Sequence, residues 1–219
     1  MSEHEFEPVA GLPERLPEGE RMLWQGTPDF RALARHAFHI RKVAVYFAIL
    51  LVWRGASEIA DGQSWAVAAT AVLGLLPIVT LGLGLIALLA WLTARATIFT
   101  ITDQRVVLRF GVALPMAMNV PFKVIDSAEL RLHPDGTGDL PLALAEGQRI
   151  GWLVNWPYVR GGRRSQPMLR AVRDARGVAA LLGEALARHS GGNSTVEPAI
   201  RDSGAAPSRS TTPRVAAPA

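Results

Sequence analysis

Hydrophobic and polar positions divide the 219 residues into stretches of very different rhythm. Residues 1–30 show no helical period. Four prolines interrupt them, and seven acids (Glu3, Glu5, Glu7, Glu14, Glu18, Glu20, Asp29) stand against only Arg15 and Arg21, which predicts an extended acidic arm. Residues 31–42 (RALARHAFHIRK) reverse the sign. Arg31, Arg35, Arg41 and Lys42 alternate with Leu33, Ala37, Phe38 and Ile40, the pattern of a short basic amphipathic helix at a membrane surface. Val43–Trp53 is apolar without interruption. Counted from Arg41 to Ala60, the stretch reaches the roughly 20 residues a spanning helix needs. Trp65 to Ala94 carries no charge in 30 residues. As a helix that is about 45 Å, longer than the roughly 30 Å hydrocarbon core, so it must tilt, kink or emerge. Pro77, with Gly74, Gly82 and Gly84, offers the kink. The spans are placed at about 41–60 and 66–93.

From residue 96 the period changes to two. In ATIFTITDQRVVLRFG, Ile98, Thr100 and Thr102 alternate with Phe99 and Ile101. After Asp103-Gln104, Val106, Leu108 and Phe110 alternate with Val107 and Arg109, which reads as a hairpin. MNVPFKVIDSAELRL, LPLALA and RIGWLVNWPYV supply further runs around the turn His133-Pro134-Asp135-Gly136-Thr137-Gly138. Five to seven short strands predict a small antiparallel barrel or sandwich. A helix is expected from about Gln166 to His189, with Pro167 in its first turn and Leu169, Val172, Val178, Leu182 and Leu186 at helical spacing. The predicted fold is thus a two-helix membrane hairpin plus a small β-barrel capped by a C-terminal helix. Its parts are an arm (1–30), pre-span helix and hairpin (31–95), strand-rich domain (96–189) and tail (190–219). The tail is rich in Pro, Gly, Ser and Thr and is expected to be disordered.

Composition agrees with a membrane assignment: 49% of residues are apolar and mean hydropathy is +0.20. Charge orients it. The flanks before the first span and after the second (Arg95, Arg105, Arg109) are basic, whereas Arg54–Ser64 between them carries Arg54, Glu58 and Asp61. The positive-inside rule places both basic flanks in the cytoplasm, which requires an even number of crossings. Two are expected. Splitting the second run at Pro77 would make three. Arg54 and Glu58, four apart, can neutralise one another near the far interface. The net charge is +4, and there is no cysteine to make a disulfide, thiolate metal site or cysteine nucleophile.

Several groups could carry function. Arg160, Arg163, Arg164, Arg170, Arg173 and Arg176 form a basic run opposed only by Asp174, suited to anionic lipid headgroups or an acidic partner loop. The plainer reading is a solvated loop and polar helix face. Trp152 and Trp156, with Tyr158, serve either as core or as an exposed aromatic anchor. Ala66, Thr70 and Gly74 recur every four residues, a small-residue face for helix packing against the first span, a second copy or another helix. His36 and His39 are better read as interfacial histidines than as pigment ligands, and His4, His133 and His189 make no metal constellation. No nucleotide loop, nucleophile elbow or zinc motif is present, so neither catalysis nor a cofactor or metal is expected.

The phrases LPEGERMLWQGTPD (Leu16–Asp29) and FTITDQRVVLRFG (Phe99–Gly111) resemble the arm and first hairpin of bacterial membrane-anchored pleckstrin-homology (PH)-like domains. Over about residues 5–190 the chain resembles, more narrowly, the PuhB family of photosynthetic-complex assembly proteins of purple bacteria. The matching stretches are GLPERLPEGERMLWQGTPDFRALARHAFHIRKVAVYF, ATIFTITDQRVVLRFGVALPMAMNVPF and GDLPLALAEGQRIGWLVNWPYVRGG. That resemblance implies a non-catalytic scaffold of the bacterial inner membrane, multi-pass, with its N-terminus and PH-like domain in the cytoplasm. The implied partners are reaction-centre subunits and core light-harvesting polypeptides, with no nucleic acid. The alternative is a general PH-like lipid-binding or membrane-maintenance module without a photosynthetic client.

Overall fold

The structure is a computed structural model and describes residues 16–145, 155–160 and 166–189. Two apolar helices lead into two antiparallel sheets that share one core with a C-terminal helix. The helices are α1 (Phe30–His36), α2 (Ile40–Ala60), α3 (Trp65–Arg95) and α4 (Ala175–His189). The strands of the first sheet are β1 (Met22–Gly26), β2 (Ile98–Thr102), β3 (Arg105–Phe110) and β4 (Met116–Pro121), in the order β1-β2-β3-β4. The second contains β5 (Ile125–Ala128), β6 (Arg131–Leu132), β7 (Gly138–Leu144), β8 (Val159–Arg160) and β9 (Gln166–Val172), in the order β5-β7-β9-β8 with β6 on β7.

The period-two pattern does what it predicts. Phe99 and Ile101 of β2 and Val106, Leu108 and Phe110 of β3 all lie in the core. The register Ile98↔Arg109 to Ile101↔Val106 closes the hairpin at Asp103-Gln104. Thr100 and Thr102 are buried too, because β2 is central and β1 covers its other edge. Within its described part, the arm forms a strand over Met22–Gly26 and is paired, from Met22↔Thr102 to Gly26↔Phe99. Its Glu20 is buried and forms two hydrogen bonds with Arg105, at 2.8 and 2.9 Å.

Two sequence expectations are corrected. Residues 31–42 are not one helix: α1 ends after His36, His39 takes a left-handed conformation (φ 53°), and α2 begins at Ile40. This splits the basic residues, with Arg31 and Arg35 on α1 and Arg41 and Lys42 in the first turn of α2. The helix expected from Gln166 begins only at Ala175, since Gln166–Val172 is strand β9 between β7 and β8. Leu169 and Val172 satisfy a helical spacing by coincidence and are buried in the sheet. The true start signal is Asp174, whose Oδ1 accepts from Gly177 N at 3.3 Å as a helix-capping carboxylate does.

α2 and α3 are long and apolar enough to cross a membrane, and neither buries its most apolar stretch within the protein. α3 runs unbroken through Pro77, so the run after Trp65 is one helix. Ser64 caps it through a bond from Val67 N. The helices pack antiparallel: a Cβ on Gly55 would sit 3.3 Å from Val72, and one on Gly82 would sit 3.7 Å from the Phe47 ring. The last turns of α3 behave differently. Ala90 and Ala94 are buried, and Ala94 joins the domain core with Ala32, Leu33 and Ala37. The apolar hairpin is thus built into the domain rather than tethered to it.

Candidate functional site: the junction of hairpin and domain

Chemistry-bearing side chains converge where α1, the end of α3 and β9 meet. α1 is fixed first. Asp29 caps it through Oδ1, which accepts from Ala32 N at 2.9 Å, while Oδ2 lies 3.1 Å from Arg173. The Asp29 backbone N donates to Ala171 O at 2.8 Å, and Ala171 holds a left-handed conformation at φ 54°. Ala171 N in turn donates to Asp139 Oδ1 at 2.8 Å. One carboxylate thus supports the kink in β9, and that kink receives the start of α1.

The other end of α1 meets the turn before β7. The His36 and His133 rings stack with centroids 3.8 Å apart and planes 7° apart. Asp135 accepts from Arg35 at 3.1 Å and lies 3.2 Å from His36 Nε2. It also accepts from Thr137 Oγ1 at 2.6 Å and Thr137 N at 3.2 Å. Burial alone would raise the Asp135 pKa. The hydrogen bonds from Thr137 and His36 outweigh it and bring it down to about 2. Asp139 follows the same logic: burial opposes ionisation, but His133, the Ala171 amide and Arg170 hold its pKa below the ordinary value. His133 Nε2 and Arg170 Nε stand 3.3 and 3.8 Å from Asp139 Oδ2 as ion-pair neighbours rather than aligned donors. His39 is pushed below its usual value by burial first and then by Lys42 and Arg170.

A third contact set is aromatic. Tyr158 is fully buried, edge-on to Phe99 at 5.4 Å and tilted on Phe110 at 5.4 Å. Its hydroxyl donates to Thr97 Oγ1 at 2.8 Å, and Thr97 donates to Thr93 O in the last turn of α3 at 2.7 Å. Trp156 is partly exposed and meets Phe38, just before α2, edge-on at 5.1 Å.

The sequence candidates separate on this frame. Arg170 turns inward, donating to Pro157 O at 2.9 Å beside Asp139, and Arg173 is exposed but held by Asp29. Arg176 is exposed on the first turn of α4, and Arg160 lies in β8 opposite Gln166. Arg163, Arg164 and Trp152 lie outside the described residues. Tyr158 is core and Trp156 is surface, so the aromatic group divides. Ala66 and Thr70 are exposed, and a Cβ on Gly74 would meet nothing. That face therefore points away from α2. The first span packs instead on the side carrying Val72 and Gly82. Among the described residues no group of three or more His, Asp or Glu is placed to hold a metal ion.

The profile described as Bacterial PH domain matches residues 40–186. The chain belongs to the bacterial PH domain family. The match begins with α2, so in this bacterial PH domain the apolar hairpin is part of the family unit, while β1 and α1 lie before it. A Rhodobacter capsulatus protein named "Uncharacterized 23.7 kDa protein in puhA 5′ region" is 41% identical over 191 residues. That alignment covers 84% of this chain and 89% of the relative. No solved structure matches.

Proposed function

We propose that this bacterial PH domain protein is a membrane-anchored, non-catalytic assembly factor for the photosynthetic reaction centre and its core antenna. Anchoring is carried by one observation. Two helices of spanning length leave their most apolar stretches unburied, while α3 buries Ala90 and Ala94 at its domain-side end. Helices of a water-soluble core would do the reverse. The antiparallel pairing of Phe47 with Gly82 and Gly55 with Val72 brings Arg41 and Lys42 level with Ala87 and Ile86. The cytoplasmic interface then crosses α3 there, and Leu88–Arg95 rises into the domain. Both basic flanks share that side, as the positive-inside rule asks.

The client is supported by the resemblance of the arm, first hairpin and NWPYV stretches to the PuhB family. It is also supported by the relative's name, which puts that protein in the puhA 5′ region. A scaffold fits the site's chemistry: its charged groups are engaged with one another and hold two bodies in one orientation. Confinement to the bilayer raises effective concentration, so modest contacts suffice for subunits in the same membrane. Loss of the gene in the native host is expected to lower reaction-centre yield while pigment synthesis continues. Unchanged yield would overturn the assembly reading and leave a general lipid-binding module.

A further inference from the structure

The loop between β3 and β4 has the wrong composition for a solvated turn. Residues 111–115, GVALP, contain no charge and no hydrogen-bonding side chain, whereas surface loops are normally polar. Leu114 is 77% exposed and Val112 is 51% exposed. Outside α2 and α3 the other large apolar side chains exposed among the described residues are Met22, Phe30 and Trp156, at 37 to 41%. Gly111 adopts φ 118°, and a Cβ there would strike the Leu114 carbonyl, so glycine folds the tip tightly back and leaves Val112 and Leu114 outermost.

Register places this tip. Ile98 pairs with Arg109 and Phe110 pairs with Met116, so the turn caps the end of the sheet that α3 enters three residues after Arg95. Ring contacts give the same placement. Phe110 packs on Tyr158, and two residues before Tyr158 lies Trp156, which packs on Phe38 at the threshold of α2. Arg41 and Lys42 follow soon after Phe38 in the first turn of α2, where basic groups suit anionic headgroups.

We propose that the Gly111–Pro115 tip is a third membrane attachment, with Val112 and Leu114 seated in the leaflet at which α2 and α3 enter. The partner is the lipid surface itself. This rests on the reading of α2 and α3 as spans. With the tip in the lipid, the domain is held at three points and presents one fixed face to subunits in the membrane.

The chain has no cysteine, so single cysteines report cleanly. Leu114→Cys, Gln104→Cys at the opposite end of the sheet, and Leu81→Cys in α3 are each labelled with an environment-sensitive fluorophore. The full-length protein is then reconstituted in phosphatidylcholine–phosphatidylglycerol vesicles. Position 114 is expected to show blue-shifted emission that shallow acyl-chain nitroxides quench. Position 104 is expected to show neither effect, and position 81 quenching by deep nitroxides. Quenching at 81 with a water-like signal at 114 overturns the inference and leaves the spans standing. A water-like signal at 81 as well refutes the spans, and the inference falls with them.

Discussion

Tyr158 donates its hydroxyl to Thr97 Oγ1 at 2.8 Å across 61 residues of sequence. Thr97 passes the linkage on to the Thr93 carbonyl in the last turn of α3. Burial pushes the Tyr158 phenol pKa well up, so it is a donor at any physiological pH. This connection is central to how the domain is fixed to the apolar hairpin, and the two partners are not equivalent. Tyr158→Phe removes one hydrogen bond, at a cost of about 1 kcal/mol. Thr97→Val strands a buried hydroxyl and is expected to cost roughly 2–3 kcal/mol. Thermal unfolding in mild detergent should show the larger fall for Thr97→Val. Equal falls would deny the asymmetry.

The arm is held by charge as well as by strand pairing. Glu20 is almost fully buried and grips Arg105 with both carboxylate oxygens. Glu20→Ala leaves the guanidinium, itself largely covered, without its anion, a loss of roughly 2–3 kcal/mol. The arm should then be cleaved faster by protease, with β1 amides exchanging earlier than those of β3. Unchanged cleavage would show that β1 pairing alone holds the arm.

Acid should undock α1. The folded-state pKa of Asp135 is depressed from 3.8 to about 2 and that of Asp139 is also lowered. A depressed carboxylate contributes stability that is present above its ordinary value and is lost as pH falls through the folded value. For Asp135 the window is about pH 4 down to pH 2. Hydrogen-exchange protection of α1 should decline across it, and Asp135→Asn should show reduced protection already at pH 7. A variant protected as well as the parent would mean the Arg35 and His36 contacts do not hold α1.

Arg54 and Glu58 pair one helical turn apart in α2. In the spanning reading, replacing either alone leaves the other uncompensated near the lipid. Arg54→Leu and Glu58→Leu should each reduce membrane accumulation more than the double replacement does. Additive losses would place the pair in water.

Much of this fold was legible locally. Alternation gave β2 and β3 because a strand's side-chain period depends only on neighbours along the chain. Length and apolarity gave α2 and α3 for a similar reason. The failures are equally physical. The β9 segment mimics a helix because Leu169 and Val172 are buried on a sheet whose partner, β7, lies some thirty residues earlier. β1 could not be seen as paired, since its partner β2 lies beyond both apolar helices. The junction was the least legible part. His133-Pro134-Asp135-Gly136 announced a turn, but its stacking on His36 depends on a contact across nearly a hundred residues. Arg170 looked like surface charge because nothing near it in sequence reveals Asp139.

The proposed function requires a client in the photosynthetic membrane for this bacterial PH domain protein. The most direct measurement is recovery of the tagged full-length protein from gently solubilised membranes of the native host, with the co-purifying proteins identified. Reaction-centre subunits, with or without core antenna polypeptides, are the predicted yield. Recovery with lipid alone and no photosynthetic subunit would contradict it.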